Sequence, residues 1–260
     1  MPESPFEQLD ARLRDLLHAW DRDEAAPAAL HGHISMDEAY ALQLTLLDAK
    51  VQTGAVHTGW KVGQTAASMR AERGESAPAP GYLLASVEAA NDGTLELGDA
   101  TQWFLEPELA LTLGTDLGGP AVSPEQAHAA VASACTAFEL VHRRPGWDDR
   151  ALQRAVNGSN AGYILGTALT SVPTPEAADA LRIQVFCDDH TAVDVRGGDV
   201  NDNPLGTLAW LATFMHEHGR TLRAGETILT GTYAGLMPVA PGQSWQATVG
   251  DLPPVAVRIA

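Results

Sequence analysis

Phe104-Leu105-Glu106-Pro107-Glu108-Leu109-Ala110-Leu111 alternates with the two-residue period of a β-strand, and the alternation runs on to Leu113. Residues two apart in a strand share a face. One face then carries Leu105, Leu109, Leu111 and Leu113, a core face, and the other sets Glu106 beside Glu108. Like charges this close raise each other's pKa unless something neutralises them. A hard divalent cation does so, since magnesium takes carboxylate oxygens and keeps positions open for water or substrate. Alone, the pair is better explained as the solvated face of a strand. Glu139 shifts the balance slightly, because Phe138, Leu140 and Val141 surround it and an unpaired carboxylate is costly to bury there. A third acid in an apolar stretch is what a three-carboxylate site uses.

Working outward, three capping boxes announce helices: Ser4-Pro5-Phe6-Glu7, Ser35-Met36-Asp37-Glu38 and Ser123-Pro124-Glu125-Gln126. The first opens a run with Leu9, Leu13, Leu16, Leu17 and Trp20 at helical spacing. The second leads to Gly54 as its stop, and the third spans an Ala-rich segment to about Cys135. A fourth helix starts at Asn203-Pro204, with proline at its first position, and reaches Gly219. Residues 182–186 and 192–195 flank a polar turn and predict a hairpin, while 227–229, 244–249 and 255–259 predict a terminal β region. The chain is therefore expected to be α+β, with a helical region over 1–58 and a β-rich catalytic, metal-binding domain over 59–260, the two forming one compact unit.

The bulk properties restrict the function. The sequence has 33 acidic against 16 basic residues, a formal charge of −17, which disfavours nucleic acid and anionic membranes as partners. A small anionic substrate then needs a local positive centre, either a metal or a lysine. No apolar run approaches the roughly 18 residues of a membrane span, and Met1-Pro2-Glu3-Ser4 has no signal-peptide character, so cytoplasm is the expected compartment. Cys135 and Cys187 form no C-x-x-C pair and are expected to be reduced thiols.

Gly59-Trp60-Lys61-Val62-Gly63 places a lysine between an aromatic and a β-branched residue, with glycines that permit close backbone approach. Lys61 would offset negative charge at a carboxylate site, although on composition alone it is better explained as a strand lysine with its head in solvent. His31-x-His33 and His216-x-His218 lack a matching second pair and are expected on the surface, while His142 follows Glu139 by three residues. No G-x-S-x-G, P-loop or dinucleotide fingerprint is present.

Taken together, these segments resemble the hydratase/decarboxylase branch of the fumarylacetoacetate hydrolase superfamily, which includes 2-oxopent-4-enoate (2-hydroxypentadienoate) hydratases and 4-oxalocrotonate decarboxylases. The resemblance runs from about Ser35 onward. It rests on the order and spacing of Gly59 to Thr65, Gly81-Tyr82-Leu83-Leu84, Glu106-Pro107-Glu108, Phe138-Glu139-Leu140-Val141, Leu222 to Gly231 and Met237 to Gly242. It implies a mixed β-roll or barrel-like core, Glu106, Glu108 and Glu139 as ligands of Mg²⁺ or Mn²⁺, and Lys61 as the catalytic lysine. His142, Ser159, Asn160 and Thr230 are implied near the substrate, and the chain is implied to form a homo-oligomer. The implied activity is that of a lyase working on a small anionic 2-oxo or 2-hydroxy-dienoic acid through a metal-chelated enolate, hydratase ahead of decarboxylase. Acylpyruvate hydrolysis or tautomerisation, and a catalytically reduced 2-oxo acid binder, are the alternatives.

Three departures accompany the resemblance. Ala79 stands where the family often has a proton-transferring aspartate. Asn157-Gly158-Ser159-Asn160 stands where Asp-Asn-Ala-Ser is common, and His142 where an aspartate is common. Altered proton chemistry around retained chelation is the expectation.

Overall fold

The structure is a computed structural model that describes residues 5–97 and 102–260. Ser4, the first expected cap, lies outside them. Residues 5–8 form turns, and helix α1 (Ala11–Asp21) starts instead at Asp10, whose carboxylate accepts from the backbone N–H of Arg12. Helix α2 (Met36–Gln52) opens at Ser35 with both halves of its capping box in place. It stops just before Gly54, which sits at φ +100°. Because α2 is buried on two sides, Leu44 and Leu47 join the main core while Leu42 and Leu46 join a second one.

The β region begins with β1 (His57–Gly63), followed by the short helix α3 (Ala67–Arg73) and then β2 (Ala79–Leu84), β3 (Glu88–Ala89) and β4 (Gly93–Leu95). The long strands β5 (Trp103–Leu113) and β6 (Val131–His142) flank α4 (Pro124–Ala130). Next come α5 (Arg150–Ala155), β7 (Asn160–Leu165), α6 (Pro175–Ala178), the expected hairpin β8 (Arg182–Cys187) and β9 (His190–Arg196), and α7 (Gly197–Val200). The chain closes with α8 (Pro204–Glu217), capped by Asn203, then β10 (Thr227–Thr232), β11 (Met237–Pro238), β12 (Ser244–Val249) and β13 (Val255–Ile259).

The third predicted helix is corrected. It ends at Ala130, and the residues up to Cys135 belong to β6. Alanines favour helix locally, but β6 pairs with β5 from Leu113↔Val131 to Trp103↔His142, and that pairing prevails. Ala134 turns to the main core and Cys135 to a smaller one on the opposite face of the sheet.

Two sheets result, and the mixed α+β chain has its larger sheet curled into a half-barrel. That sheet has the order β2-β1-β10-β5-β6-β7-β3, with β11 also pairing β5, and the second has the order β4-β13-β12-β8-β9. Strands β1 and β10 run parallel, and Gly59 permits their contact: a Cβ there would lie 1.9 Å from the carbonyl oxygen of Thr227. The leucine face of β5 packs into the main core with Leu205, Leu208 and Leu211 of α8 and Val249, Val257 and Ile259 of the second sheet. The N-terminal helices share their own core with Trp147, Leu152 and Ala155. Among the described residues no helix is long and apolar enough to cross a membrane.

Candidate functional site

The antiparallel register of β5 and β6 sets Glu106 directly opposite Glu139, and Glu108 follows two residues on along the same face. One carboxylate oxygen from each of the three lies within 4.8 Å of the others. Pro107 sits between the two β5 acids without breaking the sheet. Its carbonyl accepts from the N–H of Tyr233, so its missing N–H faces the gap where the partner of β5 changes from β10 to β11.

Each acid is held differently. Glu139 is fully buried, and its Oε1 forms an ion pair with Lys61 Nζ at 3.1 Å and accepts from Asn160 Nδ2 at 2.9 Å. Its Oε2 is buried with no hydrogen-bond partner among the described residues. Glu108 Oε2 accepts from the backbone N–H of Gly231 at 2.6 Å. Glu106 is partly open to the adjoining cavity. Burial, and then Glu139, push its carboxyl up to about 7, and burial with both neighbouring acids pushes Glu108 well up. Burial pulls Lys61 down, but Glu139 and Glu106 outweigh it and hold the ammonium above its ordinary value. Three carboxylates face one ammonium, so the cluster holds more acid than its own cation neutralises.

Lys61 arrives from β1, and its stem runs over Gly81 of β2, where a Cβ would come within 3.2 Å of Lys61 Cδ. Ala79 is buried in the same strand opposite Gly63 and brings no titratable group. The turn after Lys61 is clamped by Arg70, whose guanidinium donates to the carbonyls of Gln64 and Thr65 and pairs with Asp202.

A cavity of about 1080 Å³ opens over Lys61, Glu106 and Glu108. Of the substrate-side residues implied by the resemblance, Ser159 lines it. His142 instead stacks on Trp103, with ring centroids 4.2 Å apart, and lines a separate cavity. Asn160 reaches the site through Glu139. Thr230 is fully buried and its hydroxyl donates to the carbonyl of Leu109; Thr232 lines the cavity instead. Asn157, one of the departures, clamps β2 by accepting from the N–H and donating to the carbonyl of Tyr82.

Sequence reasoning missed most of the cationic rim. Arg73, Arg143, Arg144, Arg150 and Arg154 all line the cavity. Arg150 pairs with Glu75, and Arg144 with Asp23. Arg73, Arg143 and Arg154 have no ion pair among the described residues. The spacings Arg70/Arg73 and Arg150/Arg154 are helical, but nothing local says that α3 and α5 border one opening.

The Fumarylacetoacetate (FAA) hydrolase C-terminal family model matches residues 63–260. The chain belongs to that family. Within the FAA hydrolase family it is 27% identical over 257 residues to the TodF product hydratase of Pseudomonas putida F1, covering 96% of this chain and 94% of that protein. It is 29% identical over 255 residues to a 2-keto-4-pentenoate hydratase of Paraburkholderia phymatum, covering 96% and 95%. Among solved structures, 4-oxalocrotonate decarboxylase from Pseudomonas putida G7, complexed with magnesium and adipate, superimposes with a TM-score of 0.83 at 22% identity. That match covers 96% of this chain and 97% of the other. The likeness confirms the expected FAA hydrolase fold over nearly the whole chain.

Proposed function

We propose that the chain is a divalent-metal-dependent lyase acting on a small 2-oxo or 2-hydroxy-dienoic acid, with hydration of a 2-hydroxypenta-2,4-dienoate-type substrate as its leading reaction. The observation that carries this reading is the convergence of Glu106, Glu108 and Glu139 beside Lys61, with Glu106, Glu108 and Lys61 lining a cavity. The names of the hydratase relatives support it.

The donor set fits a hard cation. It offers three carboxylates, one with a buried unpartnered oxygen, and excess acid that burial alone disfavours. These residues would hold Mg²⁺ or Mn²⁺, which when bound supplies Lewis acidity toward the oxygens of a 2-oxo acid. The rest falls to the chain's own groups. Lys61, kept protonated by its acidic neighbours, offsets the charge of an entering anion and stabilises negative charge developing on the substrate. Asn160 fixes the rotamer of Glu139, and the Gly231 N–H fixes that of Glu108. With Ala79 in place of an acid, Lys61 is the protonated side chain in direct contact with the cluster. The reading includes assembly into a homo-oligomer.

The test is the loss of ultraviolet absorbance of 2-hydroxypenta-2,4-dienoate, followed with Mg²⁺ and with chelator. Metal-dependent loss with 4-hydroxy-2-oxopentanoate appearing is expected; a rate no faster than the uncatalysed one removes the hydratase reading. A second reading, decarboxylation of a 4-oxalocrotonate-type dicarboxylate, is favoured by the unpaired Arg73, Arg143 and Arg154 at the cavity. If it holds, Arg73→Gln with Arg154→Gln lowers kcat/KM for the dicarboxylate about tenfold and spares the monocarboxylate, since each charged contact contributes on that order. Equal losses on both substrates would count against it.

A further inference from the structure

A second cavity, of about 480 Å³, shares Ser159 and Arg144 with the first but has a different lining. Its walls include Trp20, Tyr82 and Trp103, the last nearly parallel to the His142 ring at 8°. Burial, and then Arg144, hold His142 below its ordinary pKa, so that ring is a flat neutral surface near pH 7.

Several donors here lack acceptors. Lys50, brought by α2, has no ion pair among the described residues, and its ammonium stands 5.9 Å from the centre of the Tyr82 ring. The Tyr82 hydroxyl is buried without a hydrogen-bond partner among the described residues, and burial raises its pKa so that it stays protonated. Arg144 lies 3.9 Å over the Trp20 ring and donates to the Trp20 carbonyl, while its Nε is buried and unpartnered. The one carboxylate in the lining, Asp23, is 75% exposed and faces Arg144 at 3.6 Å. Within the lining two cations thus meet one solvent-facing acid, with exposed Asp21 acting on both from outside it, in a chain whose net charge is −17. Buried donors without acceptors are rare in native proteins and call for a partner. The volume falls in the range of small-molecule sites, roughly 300–1,000 Å³.

We propose that this second cavity binds a small aromatic carboxylate, its ring against the Trp103–His142 stack and its carboxylate accepting from Lys50 and the Tyr82 hydroxyl. The aromatic walls select a flat ring by stacking and edge contacts. The unmatched donors select an anion. Asn160 lines this cavity and donates to Glu139, so an occupant stands one side chain away from the carboxylate cluster.

The proposal is independent of the reaction assigned above, and its test uses the full chain in chelator with no substrate. Benzoate is titrated by calorimetry, with cyclohexanecarboxylate as the non-aromatic control. Saturable benzoate binding is expected, with the control several-fold weaker. Lys50→Gln weakens benzoate about tenfold and the near-isosteric Tyr82→Phe several-fold, while Arg73→Gln, in the other cavity, leaves it within about twofold. Tyr82→Phe removes a single oxygen, so it reads the site even if Lys50→Gln fails to fold. No saturable heat up to about 10 mM benzoate, a range in which even a weak ion-paired contact registers, overturns the proposal. So does binding that survives both Lys50→Gln and Tyr82→Phe but is lost in Arg73→Gln.

Discussion

Glu106→Gln is expected to abolish metal-dependent turnover and, in the same preparation, to make the metal-free protein more stable above neutral pH. Burial, and then Glu139 across the strand pair, push the Glu106 carboxyl up to about 7. The folded chain therefore binds a proton that the unfolded chain, titrating near the ordinary carboxylate value, has already lost. Between these two values stability falls as pH rises, and above about 7 it stays at the lower level. Glu108 is shifted in the same direction and adds to the slope. A neutral glutamine removes the share that Glu106 contributes, so melting temperature against pH is flatter in the variant and lies above the wild type near pH 8. Added Mg²⁺ reverses the ranking, because a ligand that binds only the folded state stabilises in proportion to its occupancy. Turnover falls by about 10³-fold, the scale of losing several kcal/mol of charge stabilisation. Melting curves from pH 5 to 8, with and without Mg²⁺, check the prediction together with the dienoate assay. An undiminished Mg²⁺ shift in the variant would sink the ligand assignment.

Gly231→Ala attacks the same cluster through the backbone. Gly231 sits at φ +102°, and a Cβ there would lie 2.0 Å from Thr65 Oγ1 and 2.7 Å from Thr65 Cγ2. Its N–H holds Glu108, and its carbonyl accepts from Asn201 Nδ2 at 3.1 Å. The strain and the clash together are expected to cost about 3 kcal/mol or more in unfolding experiments. What remains folded is expected to lose turnover, because the donor to Glu108 is displaced. Thr65→Ala in the same chain removes the two closest atoms and recovers part of the stability, but not the part due to φ. A melting temperature unchanged by Gly231→Ala would show that the turn at Thr65 yields freely.

The strand at Glu106 was readable because its period is two and its leucines are large, and the caps at Ser35 and Ser123 because a capping box is a local code. The end of α4 was not. Alanine reports helix wherever it stands, and only the β5 partner across the sheet decides otherwise. Glu139 was suspected from its apolar neighbours, yet its position opposite Glu106 is a matter of register, which a single strand does not carry. Thr230 shows the opposite limit. It lies in the segment that the resemblance pointed to, but the strand turns its hydroxyl to Leu109 and offers Thr232 to the cavity. The part of the arginine rim on α3 and α5, Arg73, Arg150 and Arg154, was unreadable for a topological reason, since those helices meet only after the sheets are assembled.

The order β2-β1-β10-β5 in the larger sheet also has a consequence for synthesis. Lys61 is made early and the acids of β5 and β6 later, but β10, which bridges the lysine strand and the acidic strands, is made near residue 230. Until then β1 and β2 have an unpaired edge, and the buried ammonium has no carboxylate held opposite it. Closure of so large a loop is slow, and open edges invite wrong pairing meanwhile. A nascent chain arrested before β10 is therefore expected to hold folded helices but an unclosed sheet, with the acid cluster exposed to water until the last quarter of the chain is made.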